Sequence, residues 1–139
     1  MTVRAATRPN VLVAEDDVEM RSLVADCLRK DAFDVIELKD GGRLLVWIAR
    51  QYRSLEPNPH VDLIVTDLRM PVMTGLEILR GLRSAHCPTP LILMTAFGDD
   101  DVRHEAEGLG ATFLDKPFTL ARLRETARRL LGDARPPVR

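Results

Sequence analysis

Five short apolar runs recur along the chain: VLVA (11–14), VIEL (35–38), DLIVT (62–66), LILMT (91–95) and ATFL (111–114). Between them lie segments whose apolar residues return every three to four positions. Runs this short are strand length, whereas the intervening spacing puts apolar side chains on one face of a helix. Met20, Leu23, Val24, Cys27 and Leu28 make the first stripe, and Leu44, Leu45, Ile48 and Ala49 the second. Leu76, Leu79 and Leu82 make the third, residues 99–109 carry a shorter and weaker fourth, and Leu120, Leu123, Ala127, Leu130 and Leu131 make the last. Gly41-Gly42, Pro57 to Pro59, Pro88 to Pro90 and Gly108 to Gly110 punctuate the pattern. Such alternation predicts an α/β fold, because strands joined by helical crossovers run parallel and a parallel sheet needs helices on both faces. VIEL, the most polar run, is expected at an edge.

At 139 residues the chain is about one domain with one substantial core. The expected domain is 10–131, with tails at 1–9 and 132–139 (GDARPPVR). A formal net charge of −1 gives no overall pull toward nucleic acid, membrane or acidic substrates. No apolar run approaches the roughly 20 residues that cross a bilayer. MTVRAATRPN lacks the apolar core of a signal peptide, so a cytoplasmic protein is expected. Cys27 and Cys87 have no CxxC spacing and read as two reduced thiols. His60, His86 and His104 form no metal or triad pattern.

The informative residues sit just past the strands. VLVA runs straight into Glu15, Asp16 and Asp17. On that stretch alone two readings stand, acids that cap the next helix and acids that hold a cation. The other strands decide between them. Asp67 ends the third (VTDLRMP), Thr95 ends the fourth (LMTA), and Lys116 lies just beyond the fifth (LDKPF). In an open parallel sheet the carboxyl ends of the strands share one edge, where ligands bind. Three carboxylates, a hydroxyl and an ammonium are thus expected at one address. Mg²⁺ takes oxygen ligands, keeps several waters and commonly shares its shell with phosphate. Asp67 is then the natural nucleophile, since a carboxylate can form an aspartyl-phosphate, with Lys116 and Thr95 contacting the phosphoryl oxygens.

The set EDD, TDLRMP, MTA and DKP, in this order over about residues 10–131, resembles the receiver domain of bacterial two-component response regulators. The resemblance implies a doubly wound, flavodoxin-like sheet of order 2-1-3-4-5 with five helices. It implies a phosphorylation-operated switch that takes a phosphoryl group on Asp67 from a histidine kinase or phosphotransfer protein. Such a chain catalyses only its own phosphorylation and dephosphorylation. Asp16 and Asp67 would bind Mg²⁺ directly, with the backbone carbonyl of Arg69, and Glu15 largely through water; Asp17 stays a helix-entry acid. Thr95 would be the switch hydroxyl, Phe113 the switch aromatic, and Lys116-Pro117 a cis peptide, which proline makes accessible. Docking to a downstream protein is implied for the fourth helix, fifth strand and fifth helix, and a second copy of the chain, in a homodimer, is a further candidate partner.

Several features depart from the common pattern. Thr74 stands in PVMTG where an acid or amide is frequent, and 50–60 (RQYRSLEPNPH) lengthens the second helix or its exit. Arg69 and Phe97, two places past Asp67 and Thr95, are large and are expected to shield the acyl phosphate and prolong its lifetime, Phe97 by excluding water and Arg69 by bonding phosphoryl oxygens or pairing with a nearby acid. Asp99-Asp100-Asp101 is expected to cap the fourth helix. Arg122, Arg124, Arg128 and Arg129 read as a solvated face, and no helix-turn-helix follows for DNA binding. Two alternatives remain, a receiver fragment of a longer DNA-binding transcription factor and an aspartyl-phosphate phosphatase. The second is disfavoured because TDLRMP has no second Asp two residues on.

Overall fold

The computed structural model describes residues 8–53, 60–96 and 99–132. Strands and helices alternate throughout: β1 (Asn10–Ala14), α1 (Val18–Lys30), β2 (Asp34–Leu38), α2 (Gly41–Arg53), β3 (Leu63–Asp67), α3 (Gly75–Ser84), β4 (Leu91–Thr95), α4 (Asp100–Gly108), β5 (Thr112–Asp115) and α5 (Leu120–Leu131). The five strands form one sheet of order β2-β1-β3-β4-β5, and every pairing is parallel. The chain first grows outward from β1 to β2, then returns to the other side of β1 with β3. Loops leaving β1 and β3 therefore diverge, and a crevice opens between their carboxyl ends.

Alternation along the strands builds two half-cores. Leu12, Ile64, Leu91 and Leu93 pack with Leu44, Ile48, Ile78 and Leu79 beneath α2 and α3. Val11, Val13, Val65, Ile92 and Met94 pack on the opposite face with Val24, Leu28, Leu123 and Ala127 from α1 and α5. Cys87 belongs to the first cluster and Cys27 to the second, so the sheet separates the two thiols. β3 and β4 are buried along their whole length, whereas β2 exposes Ile36 and Glu37 and lies at an edge, as its polarity predicts.

Two helix faces are turned from their expected positions. Leu23 is exposed, because the buried face of α1 rotates toward Ala25 around Val24, Cys27 and Leu28. Leu45 is exposed as well, since α2 meets the sheet through Gly41, Leu44 and Ile48. Gly41 is no helix break but the first residue of α2, and a Cβ there would sit 2.2 Å from the Met73 carbonyl oxygen. α4 fully buries only Ala106, in line with its weak pattern. It is tied to α3 by Arg80, whose guanidinium forks onto Glu105.

The turns explain two residues flagged in the sequence. Thr74 makes a capping box with Glu77, with reciprocal bonds of 3.1 Å that start α3. Arg128 is not simply solvated: it pairs with Asp31 at the C-terminal end of α1 and ties α5 to it. α2 continues to Arg53, which accounts for part of the 50–60 extension. Residues 54–59, like the expected tails apart from residues 8, 9 and 132, lie outside the described residues.

Candidate functional site

Parallel register brings the strand ends level. Ala14 pairs with Leu38 and Thr66, Asp67 with Met94, and Thr95 with Asp115. Further backbone bonds extend the ladders into the loops: Glu15 N–H donates to the Leu38 carbonyl at 3.1 Å, and Lys116 N–H to the Thr95 carbonyl at 2.7 Å. Residues separated by as much as a hundred positions thus meet on one edge. Glu15, Asp16 and Asp67 each place a carboxylate oxygen within 4.8 Å of the others. Lys116, following β5, reaches over them, and its Nζ lies 3.1 Å from both Glu15 Oε1 and Asp67 Oδ2.

Local packing holds Asp67 in place. Gly75 passes so close that a Cβ would stand 2.6 Å from the Asp67 carbonyl oxygen and 2.6 Å from Leu93 Cδ1. Gly75 N–H donates to the Leu68 carbonyl at 2.9 Å, and Leu68 N–H to that of Met94 at 3.0 Å. Asp17 is the helix-entry acid, its Oδ1 accepting from Glu19 N–H at 2.9 Å and Met20 N–H at 3.2 Å. Of the three successive acids, one caps α1 and two join the cluster. The peptide between Lys116 and Pro117 is cis, as the resemblance implies.

The electrostatics are those of a cluster short of positive charge. Glu15 is 1% exposed. Burial, then the adjacent Asp67 charge, pushes its carboxyl from 4.5 up to about 7, with Lys116 acting the other way. Burial pulls the Lys116 ammonium down, but its bonds and charge interactions with Asp67 and Glu15 prevail and raise it. Three hard oxygen donors facing one ammonium fit a small divalent cation with oxygen preference.

Around this centre the structure identifies partners that the sequence left unnamed. The Arg69 side chain pairs with a nearby acid: its Nε and Nη2 donate to Asp99 Oδ1 at 2.9 and 2.5 Å. Asp99 is 3% exposed and also accepts from Ala96 N–H at 3.0 Å. It occupies the cap position of α4 but makes no side-chain cap bond, contrary to the expectation for the Asp99-Asp100-Asp101 run. The carboxylate is drawn inward by the guanidinium, and the first-turn acids Asp100 and Asp101 are left to face the helix N-terminus. Thr95, 1% exposed, donates its hydroxyl proton to Asp115 Oδ1 at 2.9 Å. Arg103 of α4 pairs with Asp115 and covers the Phe113 ring, 4.5 Å from its centroid. Asp115, beside Lys116 in LDKPF, carried a positional signal as the last strand residue; Arg103, one charge on a polar helix, carried none. Phe97 lies outside the described residues.

A five-stranded parallel sheet of this order, with helices on both faces, defines a doubly wound α/β protein, and an acidic cluster with one lysine lies at its carboxyl edge. Residues 11–128 match the response regulator receiver domain family, and the chain belongs to it. It is 30% identical over 134 residues to the transcriptional regulatory protein FixJ of Bradyrhizobium diazoefficiens, covering 96% of this chain and 62% of FixJ. It is 26% identical over 122 residues to sporulation initiation phosphotransferase F of Bacillus subtilis, covering 87% of this chain and 92% of that protein. Among solved structures, the chemotaxis response regulator CheY4 of Vibrio cholerae superposes with a TM-score of 0.74 at 30% identity, over 90% of this chain and all of that one. The chain thus spans less than two thirds of FixJ. Among the described residues no helix is long and apolar enough to cross a membrane.

Proposed function

We propose that this receiver works as a phosphorylation-operated switch in the cytoplasm, with 10–131 as its working unit and Asp67 as its phosphoacceptor. The observation that carries the reading is the meeting of Asp67, Glu15, Asp16 and Lys116 on one sheet edge. An oxygen of Asp67 forms a bond to phosphorus while the bond to the donor histidine nitrogen of a kinase or phosphotransfer protein breaks. The imidazole keeps that electron pair and takes up a proton. Lys116 supplies a fixed positive charge to the transferred group. Asp16 and Asp67, with the Arg69 backbone carbonyl, would hold Mg²⁺ directly and Glu15 through water. When bound, the ion offsets the negative charge of the incoming phosphoryl group. Thr95 and Phe113 transmit the new charge to the face of α4, β5 and α5, where a downstream protein or a second copy docks.

The test is incubation with acetyl phosphate and Mg²⁺, followed by mass spectrometry to locate the labile phosphoryl group. One group on Asp67, lost in Asp67→Asn, is expected. Stoichiometric labelling of Asp67→Asn at another residue would refute the assignment.

A further inference from the structure

A threonine hydroxyl has one proton to donate, and that of Thr95 is already committed. Its Oγ1 donates to Asp115 Oδ1 at 2.9 Å, across the last registered pair of β4 and β5. Arg103 Nη2, reaching from α4, donates to the same carboxylate oxygen and, at 3.3 Å, to Thr95 Oγ1 itself. Accepting from the guanidinium on one side and donating to the carboxylate on the other leaves the hydroxyl a single favoured orientation. We propose that Arg103 and Asp115 are positioning residues for the phosphoryl reaction, holding the Thr95 hydroxyl in a resting contact that must break before it can serve a phosphoryl group on Asp67. This rests on the reading of Asp67 as the phosphoacceptor.

An exposed arginine–aspartate pair is ordinarily a weak surface contact. Here its third member changes the case. Thr95 is 1% exposed, so its hydroxyl, on leaving Asp115, has no water to donate to and turns only toward another acceptor such as a phosphoryl oxygen. A phosphoryl oxygen must therefore compete against a charged acceptor, and the acceptor is held ionised: hydrogen bonds from Arg103, then from Thr95, keep the Asp115 carboxyl below its usual value. The Arg103 and Asp115 side chains are 32% and 68% exposed, which makes the contact a releasable latch. Because the same guanidinium lies over Phe113, one side chain of α4 touches both residues through which the switch is read. α4 fully buries only Ala106, so such polar contacts matter for how it sits on β5.

The experiment measures binding of beryllofluoride with Mg²⁺, a stable phosphoryl mimic, by titration calorimetry. The proteins are wild type, Asp115→Asn, Arg103→Gln, Thr95→Ala, and each latch substitution combined with Thr95→Ala. With its charged acceptor weakened to a neutral amide oxygen, Thr95 is expected to tighten binding by about fivefold to tenfold in Asp115→Asn and by less in Arg103→Gln. Both gains are expected to vanish in the Thr95→Ala background, an outcome a merely structural role does not produce. Unchanged or weaker binding in both single variants, or tightening that survives in Thr95→Ala, overturns the latch while leaving Asp67 in its role. If wild type shows no binding that depends on Asp67, by comparison with Asp67→Asn, the site reading falls and the latch with it.

Discussion

Replacing Glu15 with glutamine isolates the cost of crowding acids at the sheet edge. Glu15 has its carboxyl pushed from 4.5 up to about 7 by burial and then by the Asp67 charge. Between those values the folded protein holds a proton that the unfolded chain releases. The stabilisation is therefore complete below about 4.5 and is lost as pH rises through about 7. A rise from 4.5 to about 7 corresponds to a loss of up to about 3 kcal/mol in the metal-free protein. Glutamine keeps the shape, cannot ionise and still offers Lys116 an acceptor. Lys116 titrates above its ordinary 10.5 and so stays charged throughout the window. In EDTA, Glu15→Gln is expected to match wild type near pH 4.5 and to exceed it by about 2 to 3 kcal/mol at pH 8. That gap is on the order of 10 °C in Tm. Saturating Mg²⁺ should narrow or reverse it at pH 8, because the ion favours the ionised acids, and should do little near pH 4.5, where protons compete. Urea denaturation at the two pH values, with EDTA and with Mg²⁺, supplies the comparison. A wild-type-to-variant difference in EDTA that does not change with pH would show that Glu15 does not titrate in this window and would refute the reasoning.

Arg69→Ala strips the buried Asp99 carboxylate of its cation and leaves it the Ala96 N–H. Since Arg69 itself is 69% exposed, the expected loss is about 1 to 2 kcal/mol by denaturation, with faster acyl-phosphate decay after donor removal; unchanged stability and decay count against both roles. Gly75→Ala forces a methyl to 2.6 Å from the Asp67 carbonyl oxygen and should cost about 2 kcal/mol or more, as well as slowing phosphorylation; a Tm within about 2 °C of wild type contradicts the packing argument. Thr95→Ala is expected to accept phosphate stoichiometrically but to transmit it poorly, seen as smaller phosphorylation-dependent NMR shifts in α4 and β5; shifts of wild-type size in this variant break the proposed coupling.

Much of this protein was legible in one dimension because its signals are periodic or terminal. Short apolar runs give strands whose side chains must alternate between two covered faces, and strand-end polar residues in a parallel sheet must share an edge. Glu15, Asp16, Asp67, Thr95 and Lys116 were placed on that ground alone, and LILMT was delimited to the residue as Leu91–Thr95. Strand order is different: periodicity demands a parallel sheet but does not rank its strands, and the order 2-1-3-4-5 rests on the resemblance and on the pairing in the folded sheet. What only the tertiary structure decided is how surface-capable side chains resolve competing options. Leu23 and Leu45 satisfy the helical spacing, yet a helix buries the arc its neighbours can cover, and that arc depends on how it is rolled on the sheet. Asp99 could cap α4 or pair with Arg69, and the guanidinium thirty residues away takes it. Arg103 could face solvent like any charge on a polar helix, but a carboxylate, a hydroxyl and an aromatic ring lie within its reach. Backbone periodicity is a local property and survives in the sequence; the choice among long, flexible charged side chains is made by partners that only folding brings within a few ångströms.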